Sequence, residues 1–210
     1  MVFAINEDHL LLTRVVTQPN VAESFSIYNP TNDPINLSNY YVCDDEEYYK
    51  MQIEGDMNPS SSIGGFTVQF PDVSISPGDT FHIVLNEGYN TFYGEDFVPD
   101  LIMYGSDNNS MLETESGSIG FSNNKIDDIS ELIILFKWDG NTENSIEDVD
   151  YFIWGGIQGA VDKTGEGNYV EDTQADEQLY FEQVPDYYYA FSRVVGLEET
   201  DEDSSGGNGI

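Results

Sequence analysis

The stretch at residues 23–45, ESFSIYNPTNDPINLSNYYVCDD, decides the fold. Phe25 and Ile27 alternate with polar residues, which is the period-2 pattern of a strand with one buried face. The Asn-Pro pair that follows ends this strand, because proline has no amide N–H to donate to a sheet. The chain turns until Leu37 returns to the core, and a second strand covers residues 40–43. We therefore expect a hairpin-like strand, turn and strand that ends in carboxylates.

Similar patterns outside this stretch predict further strands, at residues 9–16, 48–53, 66–70, 81–85, 118–121, 131–138, 149–154 and 187–195. The run ELIILFKW at 131–138 is nearly all apolar, as in a central strand buried on both faces. Asp139-Gly140 after it predicts a hairpin, and Pro77-Gly78 predicts a type II turn. Helical periodicity is absent apart from one possible turn at 89–93. These patterns predict an all-β fold with long acidic loops.

The balance of charge is extreme, with 40 acidic residues against 6 Lys and Arg and a formal net charge of −34. Such a surface repels phosphate groups, which argues against binding to nucleic acid or to an anionic membrane. Divalent cations and basic partners are favoured instead. Self-repulsion destabilises the compact state unless salt or bound cations screen it, so a saline or calcium-containing exterior is a suitable setting.

The single cysteine, Cys43, excludes an internal disulfide, so cysteine usage does not define the redox compartment. No apolar run approaches the roughly 18 residues of a membrane span. The first residues lack the basic region and cleavage site of a signal peptide. We expect either a cytosolic protein or a secreted one whose signal is not part of this sequence.

Seven motifs follow one another across almost the whole chain: LLTRVV (11–16), FSIYNPTNDPINLSNYYVCD (25–44), FPDVSISPGD (70–79), ELIILFKWDG (131–140), DVDYFIWGG (148–156), AVDKTG (160–165) and GGNGI (206–210). Their order resembles the lamin tail domain family, in the form found in bacterial secreted and surface proteins. The resemblance implies an immunoglobulin-like β-sandwich, which we place at residues 1–195, and a non-catalytic interaction module. The composition of residues 196–210 indicates an acidic Gly-rich tail or linker.

Two departures from that family limit what can be carried over. The family commonly places a tryptophan after its Leu-Ser pair, whereas Leu37-Ser38 is followed by Asn39, so Tyr40 or Tyr41 has to fill that core position. The contacts of animal lamin tails with DNA and chromatin need positive charge, which this chain lacks. Nucleic-acid binding is therefore not expected.

Oxygen ligands recur through the loop after the long apolar strand with the spacing of a calcium-binding loop. Asn144 stands where that loop has glycine, and strands flank it where helices are usual. The loop is either a calcium site or an ordinary solvated hairpin tip. Its residues are Asp139, Asn141, Glu143, Ser145, Glu147 and Asp150, at positions 1, 3, 5, 7, 9 and 12 of that spacing.

A second acidic group, Asp44 to Glu47, follows the second strand of the opening stretch. Adjacent carboxylates repel one another unless a cation or solvent separates them, and hard oxygen donors suit Ca²⁺ better than Zn²⁺. We take Asp44, Asp45 and Glu47 as candidate calcium ligands, with an exposed acidic loop as the alternative. The acidic run at 201–203 is interpreted as a solvated linker.

Catalytic chemistry has little support in the sequence. His9 and His82 are the two imidazoles, and neither lies in a nucleophile motif. Cys43 ends a strand among carboxylates, which raises the pKa of a thiol and suppresses its thiolate. Phosphate-binding Gly loops and Cys/His metal spacings are both missing, so we predict that the chain is not an enzyme.

Aromatic residues exceed what a core needs, and those in loops are candidates for recognition of proteins or surface polysaccharides. The alternative is that most of them are core residues of strands. The residues concerned are Tyr48, Tyr49, Tyr89, Phe92, Tyr93, Tyr187, Tyr188 and Tyr189.

These observations predict a binding or structural module that is extracellular or attached to a cell surface, does not insert into a membrane and is stabilised by calcium if the acidic loops bind it. One alternative is a subunit of a surface filament or layer that self-associates by strand pairing. Another is an accessory domain of a secreted hydrolase.

Overall fold

Short strands joined by long loops make up most of the chain. The structure is a computed structural model and describes residues 8–59, 65–105, 107–120, 125–169, 172–182 and 186–193. The predicted tail at 196–210 lies outside these residues. The strands are β1 (Leu11–Val16), β2 (Ser24–Tyr28), β3 (Ile35–Asn36), β4 (Tyr40–Cys43), β5 (Thr67–Gln69), β6 (Ser74–Ile75), β7 (Thr80–Val84), β8 (Leu101–Ile102), β9 (Leu112–Glu113), β10 (Glu131–Lys137), β11 (Glu147–Trp154) and β12 (Phe191–Ser192).

The strands form two five-stranded sheets that pack face to face. Sheet 1 has the order β12-β1-β2-β7-β8, sheet 2 has the order β11-β10-β4-β5-β9, and β3 pairs with β6. All of these pairs are antiparallel except β7 with β8. Side chains from both sheets form one buried cluster between them. The predicted all-β, immunoglobulin-like sandwich is confirmed.

Two single-turn α-helices interrupt the loops, α1 (Lys50–Ile53) and α2 (Asn90–Tyr93), together with 3-10 turns at Asn20–Ala22 and Ile157–Gly159. The helical turn predicted at 89–93 is confirmed as α2. The strand predicted at 48–53 is wrong, because Tyr48 and Met51 lie one helical turn apart and bury their side chains together. Within the described residues, no helix is long and apolar enough to span a membrane.

The opening stretch links the two sheets and does not form a hairpin, because β2 belongs to sheet 1 and β4 to sheet 2. Asn29 stabilises the segment that connects β2 to β4 through hydrogen bonds of its side chain. Its buried amide donates to the carbonyls of Asp33 (2.9 Å) and Ile75 (3.0 Å), and its Oδ1 accepts from the amide of Thr31 (3.0 Å). The predicted core positions Phe25, Ile27 and Leu37 are confirmed as fully buried.

The structure confirms two predicted turns and shows which tyrosines fill the core after Leu37-Ser38. Gly78 has φ +78°, and the amide of Asp79 donates to the carbonyl of Ser76, as in a turn centred on Pro77-Gly78. The Asp139-Gly140 turn joins the paired strands β10 and β11. Tyr40 and Tyr41 both fill core positions, Tyr40 between the sheets and Tyr41 on the other face of sheet 2.

Strand β10 is buried on both faces, as its apolar run predicts. Ile133 and Leu135 face the cluster between the sheets, whereas Leu132, Ile134 and Phe136 face a second cluster on the outside of sheet 2. That second cluster is closed by an outer layer that includes α1 and the loop at residues 157–169. A sheet that would otherwise expose a large apolar face is therefore covered by irregular chain.

The last predicted strand, at 187–195, is much shorter in the structure. Among the described residues of this range, 187–193, only β12 is a strand, and it pairs with β1; residues 194–195 lie outside the described residues. Tyr187, Tyr188 and Tyr189 lie before β12 and are 52%, 68% and 66% exposed. They are therefore not core residues of a strand.

We expect Leu37→Ala to lower the free energy of unfolding by about 2–5 kcal/mol, because Leu37 is fully buried in the cluster between the sheets. Val98 is 80% exposed, so Val98→Ala should change it by less than about 0.5 kcal/mol. Urea unfolding of both variants measures the difference. Equal losses in the two variants would contradict the placement of Leu37 in the core.

Candidate functional site

An exposed group of rings on the outside of sheet 1, here called the aromatic surface, consists of Phe92, Tyr187, Tyr188 and Tyr189. The ring of Phe92 stacks on that of Tyr188, with centroids 5.8 Å apart and planes 13° from parallel. Tyr187 meets Tyr188 edge to face at 4.4 Å. Phe92 is 37% exposed. Two segments far apart in the sequence thus combine to present aromatic rings to solvent.

Tyr93 holds the helical part of this surface against sheet 1. Its hydroxyl donates to the carbonyl of Ala22 at 2.7 Å and lies 3.0 Å from the hydroxyl of Ser24 on β2. Its ring packs on Phe97 with centroids 4.7 Å apart. The serine face of β2, which the sequence predicts as solvent-facing, is therefore covered, and the position of Phe92 is fixed by its neighbour.

Carboxylates flank the aromatic surface in the sequence on both of its segments. Glu95 and Asp96 follow α2 after one residue, and Asp186 precedes Tyr187. All three residues are exposed. Exposed rings with neighbouring carboxylates are suited to a cationic partner, because an aromatic face attracts a cation and the carboxylates add Coulomb attraction.

The first candidate calcium group lies mainly at the tip of the β10–β11 hairpin. Asp139 Oδ1 accepts from the amide of Asn141 (2.9 Å) and Asp139 Oδ2 from the side chain of Asn144 (2.7 Å), and these hydrogen bonds lower the pKa of Asp139. Asn141 Oδ1 accepts from the amide of Glu143 at 3.0 Å. The tip is thus organised by side-chain to backbone hydrogen bonds, and Asp139, Asn141 and Glu143 are exposed.

Asp150 does not join that loop, and its assignment as the twelfth ligand is wrong. It lies inside β11 with no exposed surface and forms an ion pair with Arg193 at 2.5 Å. Its Oδ2 also accepts from the amide of Leu12 at 2.5 Å, and its Oδ1 from the amide of Tyr151 at 2.8 Å. Asp150 is occupied in joining β11 to the edge of sheet 1.

The second candidate group is also engaged with protein donors. Asp44 is buried and accepts from the amide of Phe66 at 2.8 Å. Asp45 accepts from the amide of Glu47 at 2.8 Å, and burial raises the pKa of Asp45. Glu47 pairs with Lys50. Across the part of the chain that the structure describes, no three His, Cys, Asp or Glu residues are grouped so that they could hold a metal ion.

The residues considered for catalysis are placed apart. His82 is exposed on β7 and lies 2.9 Å from the hydroxyl of Ser26. Cys43 is fully buried, with its sulfur 3.2 Å from the hydroxyl of Thr67. Burial, followed by the charge of Asp44, raises the pKa of the Cys43 thiol well above its ordinary value. This environment agrees with the suppressed thiolate that the neighbouring carboxylates predict.

Sequence reasoning missed a buried charged cluster beneath the outer layer of sheet 2. Lys163 Nζ pairs with Asp148 and donates to the hydroxyl of Tyr48 at 2.7 Å, and it lies 3.5 Å from Asp172. Tyr48 was grouped with the loop tyrosines, yet its ring is buried. In the sequence, the one indication of this cluster is Lys163 itself, because the chain has only six Lys and Arg residues.

A second missed group surrounds Glu23, the first residue of the opening stretch. Its Oε2 accepts from the side chain of Asn86 (2.6 Å) and the amide of Lys125 (2.8 Å), while its Oε1 is buried with no hydrogen-bond partner among the described residues. Burial raises the pKa of Glu23 to about 8. Burial and the charge of Asp44 likewise raise the pKa of Glu131 to about 8.

Comparison with known proteins assigns no family to this arrangement. A scan against protein family models found no match, and a search of curated proteins found no similar sequence. The functional interpretation therefore depends on the residues and contacts of this chain.

Glu23 should make stability depend on pH. Its pKa is 4.5 ordinarily and about 8 in the folded protein, so the folded state binds the proton more tightly and stability falls as pH rises between those values. Glu23→Gln should remove up to about 1.4 kcal/mol per pH unit of that slope. Urea unfolding across this range tests it, with Glu54→Gln, an exposed position, as the control. An unchanged slope in Glu23→Gln would contradict the prediction.

Calcium binding at the hairpin tip or at residues 44–47 stays a prediction. It requires the melting temperature to rise in millimolar CaCl₂ by more than in NaCl of matched ionic strength, since a ligand that binds the folded state stabilises it. Asp139→Asn and Asp45→Asn should reduce the rise if those residues are ligands. Equal rises in both salts would remove the hypothesis.

Proposed function

We propose that the chain is a non-catalytic binding module that acts outside the cell or on a cell surface and contacts its partner through the aromatic surface. The observation that carries the proposal is the stack of Phe92 on Tyr188, two exposed rings from distant segments. Exposed aromatic clusters typically mark contact sites, because the rings bury much apolar area with little loss of conformational entropy.

The backbone at Tyr188 supports a functional role for this surface. Tyr188 has φ +74°, a conformation that costs a residue other than glycine about 1–3 kcal/mol. Such strain persists where the surrounding contacts fix it, and it is concentrated at functional positions. Here it directs a tyrosine ring onto Phe92 and leaves it 68% exposed. The surface is therefore organised before a partner arrives, which reduces the entropy lost on binding.

The partner that fits best is a protein with a basic surface. The net charge of −34 attracts such a partner over long range and raises its association rate. At the aromatic surface, tyrosine rings offer cation–π contacts to Lys or Arg, and the exposed carboxylates of Glu95, Asp96 and Asp186 are close in sequence. A surface polysaccharide would use the same rings for stacking but gains nothing from the charge unless it is cationic.

The resemblance to the bacterial lamin tail domains supports the same proposal. It rests on the order of motifs from residue 11 to residue 210 and implies an interaction module on secreted or wall-associated proteins. The immunoglobulin-like sandwich is compatible with that family. We therefore infer a lamin-tail type of sandwich in an extracellular setting.

Assembly by strand pairing has less support. The long edge strand β11 is already covered near its end, where the amide of Phe181 donates to the carbonyl of Ile153 (3.0 Å) and the amide of Gly155 to the carbonyl of Phe181 (2.8 Å). At the other edge of sheet 2, β9 has only two residues. Short and covered edges are typical of sheets that avoid pairing with other chains.

The proposal predicts that Phe92→Ala and Tyr188→Ala each weaken partner binding by about tenfold or more, as for aromatic residues at the centre of an interface. An array of Lys- and Arg-rich peptides, with a neutral polysaccharide as a second ligand, provides the probe. Both side chains are exposed, so the melting temperature should stay nearly unchanged. Leu112→Ala, at an exposed position on the edge of sheet 2, is the control and should bind normally.

Ionic strength separates the two partner classes. Binding to basic peptides should weaken as salt rises, because screening removes long-range attraction between exposed charges. Binding that is insensitive to salt and restricted to the polysaccharide would identify a sugar-binding surface instead. Full binding by both aromatic variants would place the contact surface elsewhere and contradict the proposal.

A further inference from the structure

Lys163 is enclosed by two aspartates and two tyrosines beneath the outer layer of sheet 2. Its side chain is 1% exposed, and those of Asp148 and Asp172 are 4% and 0% exposed. Its Nζ pairs with Asp148 Oδ2 and lies 5.2 Å and 5.7 Å from the ring centroids of Tyr48 and Tyr169. An amine and a carboxyl group are thus in contact where water is excluded.

Burying the charges of this cluster away from water costs free energy. Burying an ion pair forfeits the hydration of both ions, and their mutual attraction often fails to compensate. Here one ammonium faces two carboxylates, Asp148 and Asp172, so one negative charge is left over if all three groups are ionised. A reaction that converts the amine and one carboxyl into a neutral amide removes the cost of burying that ion pair and leaves Asp172 as the remaining ionisable group of the three.

We propose that Lys163 and Asp148 condense into an intramolecular amide bond, with Asp172 as the catalytic proton carrier. A proton passes from the ammonium of Lys163 to the carboxylate of Asp148, and the nitrogen then attacks Cγ of Asp148, so that a C–N bond forms. Asp172 accepts the proton that leaves the nitrogen and returns it to the departing oxygen. The C–O bond breaks, one water is released, and no oxidant or reductant is involved.

The neighbours of the three groups are placed for this step. The hydroxyl of Tyr48 donates to Asp148 Oδ1 at 2.5 Å, where negative charge grows as the tetrahedral intermediate forms. Asp172 is held by the amides of Lys163 and Thr173, each at 2.8 Å. Burial raises the pKa of Asp172 above its ordinary value despite the opposing effect of Lys163, which favours a carboxyl that can hold a proton.

The position of the reacting groups also favours the product. Asp148 lies on β11 and Lys163 in the loop at 157–169, so the bond would tie the outer layer to sheet 2. The fold already holds the two groups in contact, so the reaction is intramolecular. It therefore avoids the entropy loss of bringing two separate reactants together. Burial keeps out the water that would hydrolyse the amide.

Intact mass under denaturing conditions tests the proposal on the unmodified chain. The purified protein should be lighter than its sequence by the mass of one water, and digestion should yield a branched peptide that joins Lys163 to Asp148. A folded chain with its full sequence mass would overturn the proposal. This measurement does not depend on any variant that might fail to fold.

Three variants locate the chemistry. Lys163→Ala should restore the full mass of its own sequence, and Asp172→Asn should do so while Lys163 and Asp148 stay in place. Asp148→Asn should lose ammonia in place of water and reach the mass of the cross-linked unmodified chain. Lys137→Ala, which removes a surface lysine paired with Glu147, is the control and should still lose water. Water loss that persists in Lys163→Ala would contradict the proposal.

A succinimide at Asp139-Gly140 would also lower the mass by one water, so the site of the loss must be mapped. The amide between Lys163 and Asp148 should resist mild alkali, whereas a succinimide opens and regains the water. Loss of the mass difference in mild alkali, or its location in the peptide that contains Gly140, would overturn the proposal.

Discussion

The double burial of β10 is the constraint on which the rest of the structure depends. Ile133 and Leu135 complete the core between the sheets, while Ile134 and Phe136 require a second apolar environment on the outside of sheet 2. A face of that size cannot remain in water without a large loss of hydrophobic stabilisation. The long loop at 157–169 is therefore part of the fold and not merely a connection on the surface. The same cover encloses Lys163 and excludes water from it.

The few cations of the chain show how its charge is distributed. Lys125, Lys163 and the side chain of Arg193 are buried, and Lys163 and Arg193 pair with buried aspartates. Half of the six basic residues are thus used inside the protein, where they hold loops and sheet edges together. Surface carboxylates are left with few neutralising partners. The negative potential outside the molecule is consequently stronger than it would be if all six basic residues lay on the surface. Such a potential favours a basic partner.

Local sequence patterns were enough to predict strands whose buried residues alternate or form a continuous apolar run. The alternation at Phe25 and Ile27 identified β2, and the apolar run identified β10. The features that were missed depend on contacts between distant residues: Asp150 fits a calcium spacing in sequence, yet its partners are Leu12 and Arg193. The hairpin expected from the opening stretch failed for the same reason, since sheet membership is decided by pairing with β7 and β10. Neither the stack of rings at the aromatic surface nor the charged cluster has a local signature.

A covalent bond between distant parts of the chain would stabilise a domain with this composition. Cys43 is buried and is the single cysteine, so the chain cannot form an internal disulfide. Its strong negative charge opposes compaction, and much of its outer layer is irregular chain that contributes little regular hydrogen bonding. A bond between β11 and the outer layer would counter both effects, because it limits the expansion of the unfolded chain and holds the cover over the second core. In the proposed amide, the groups that form the bond are charged before it and neutral after it, so closure and relief of buried charge would occur in one step.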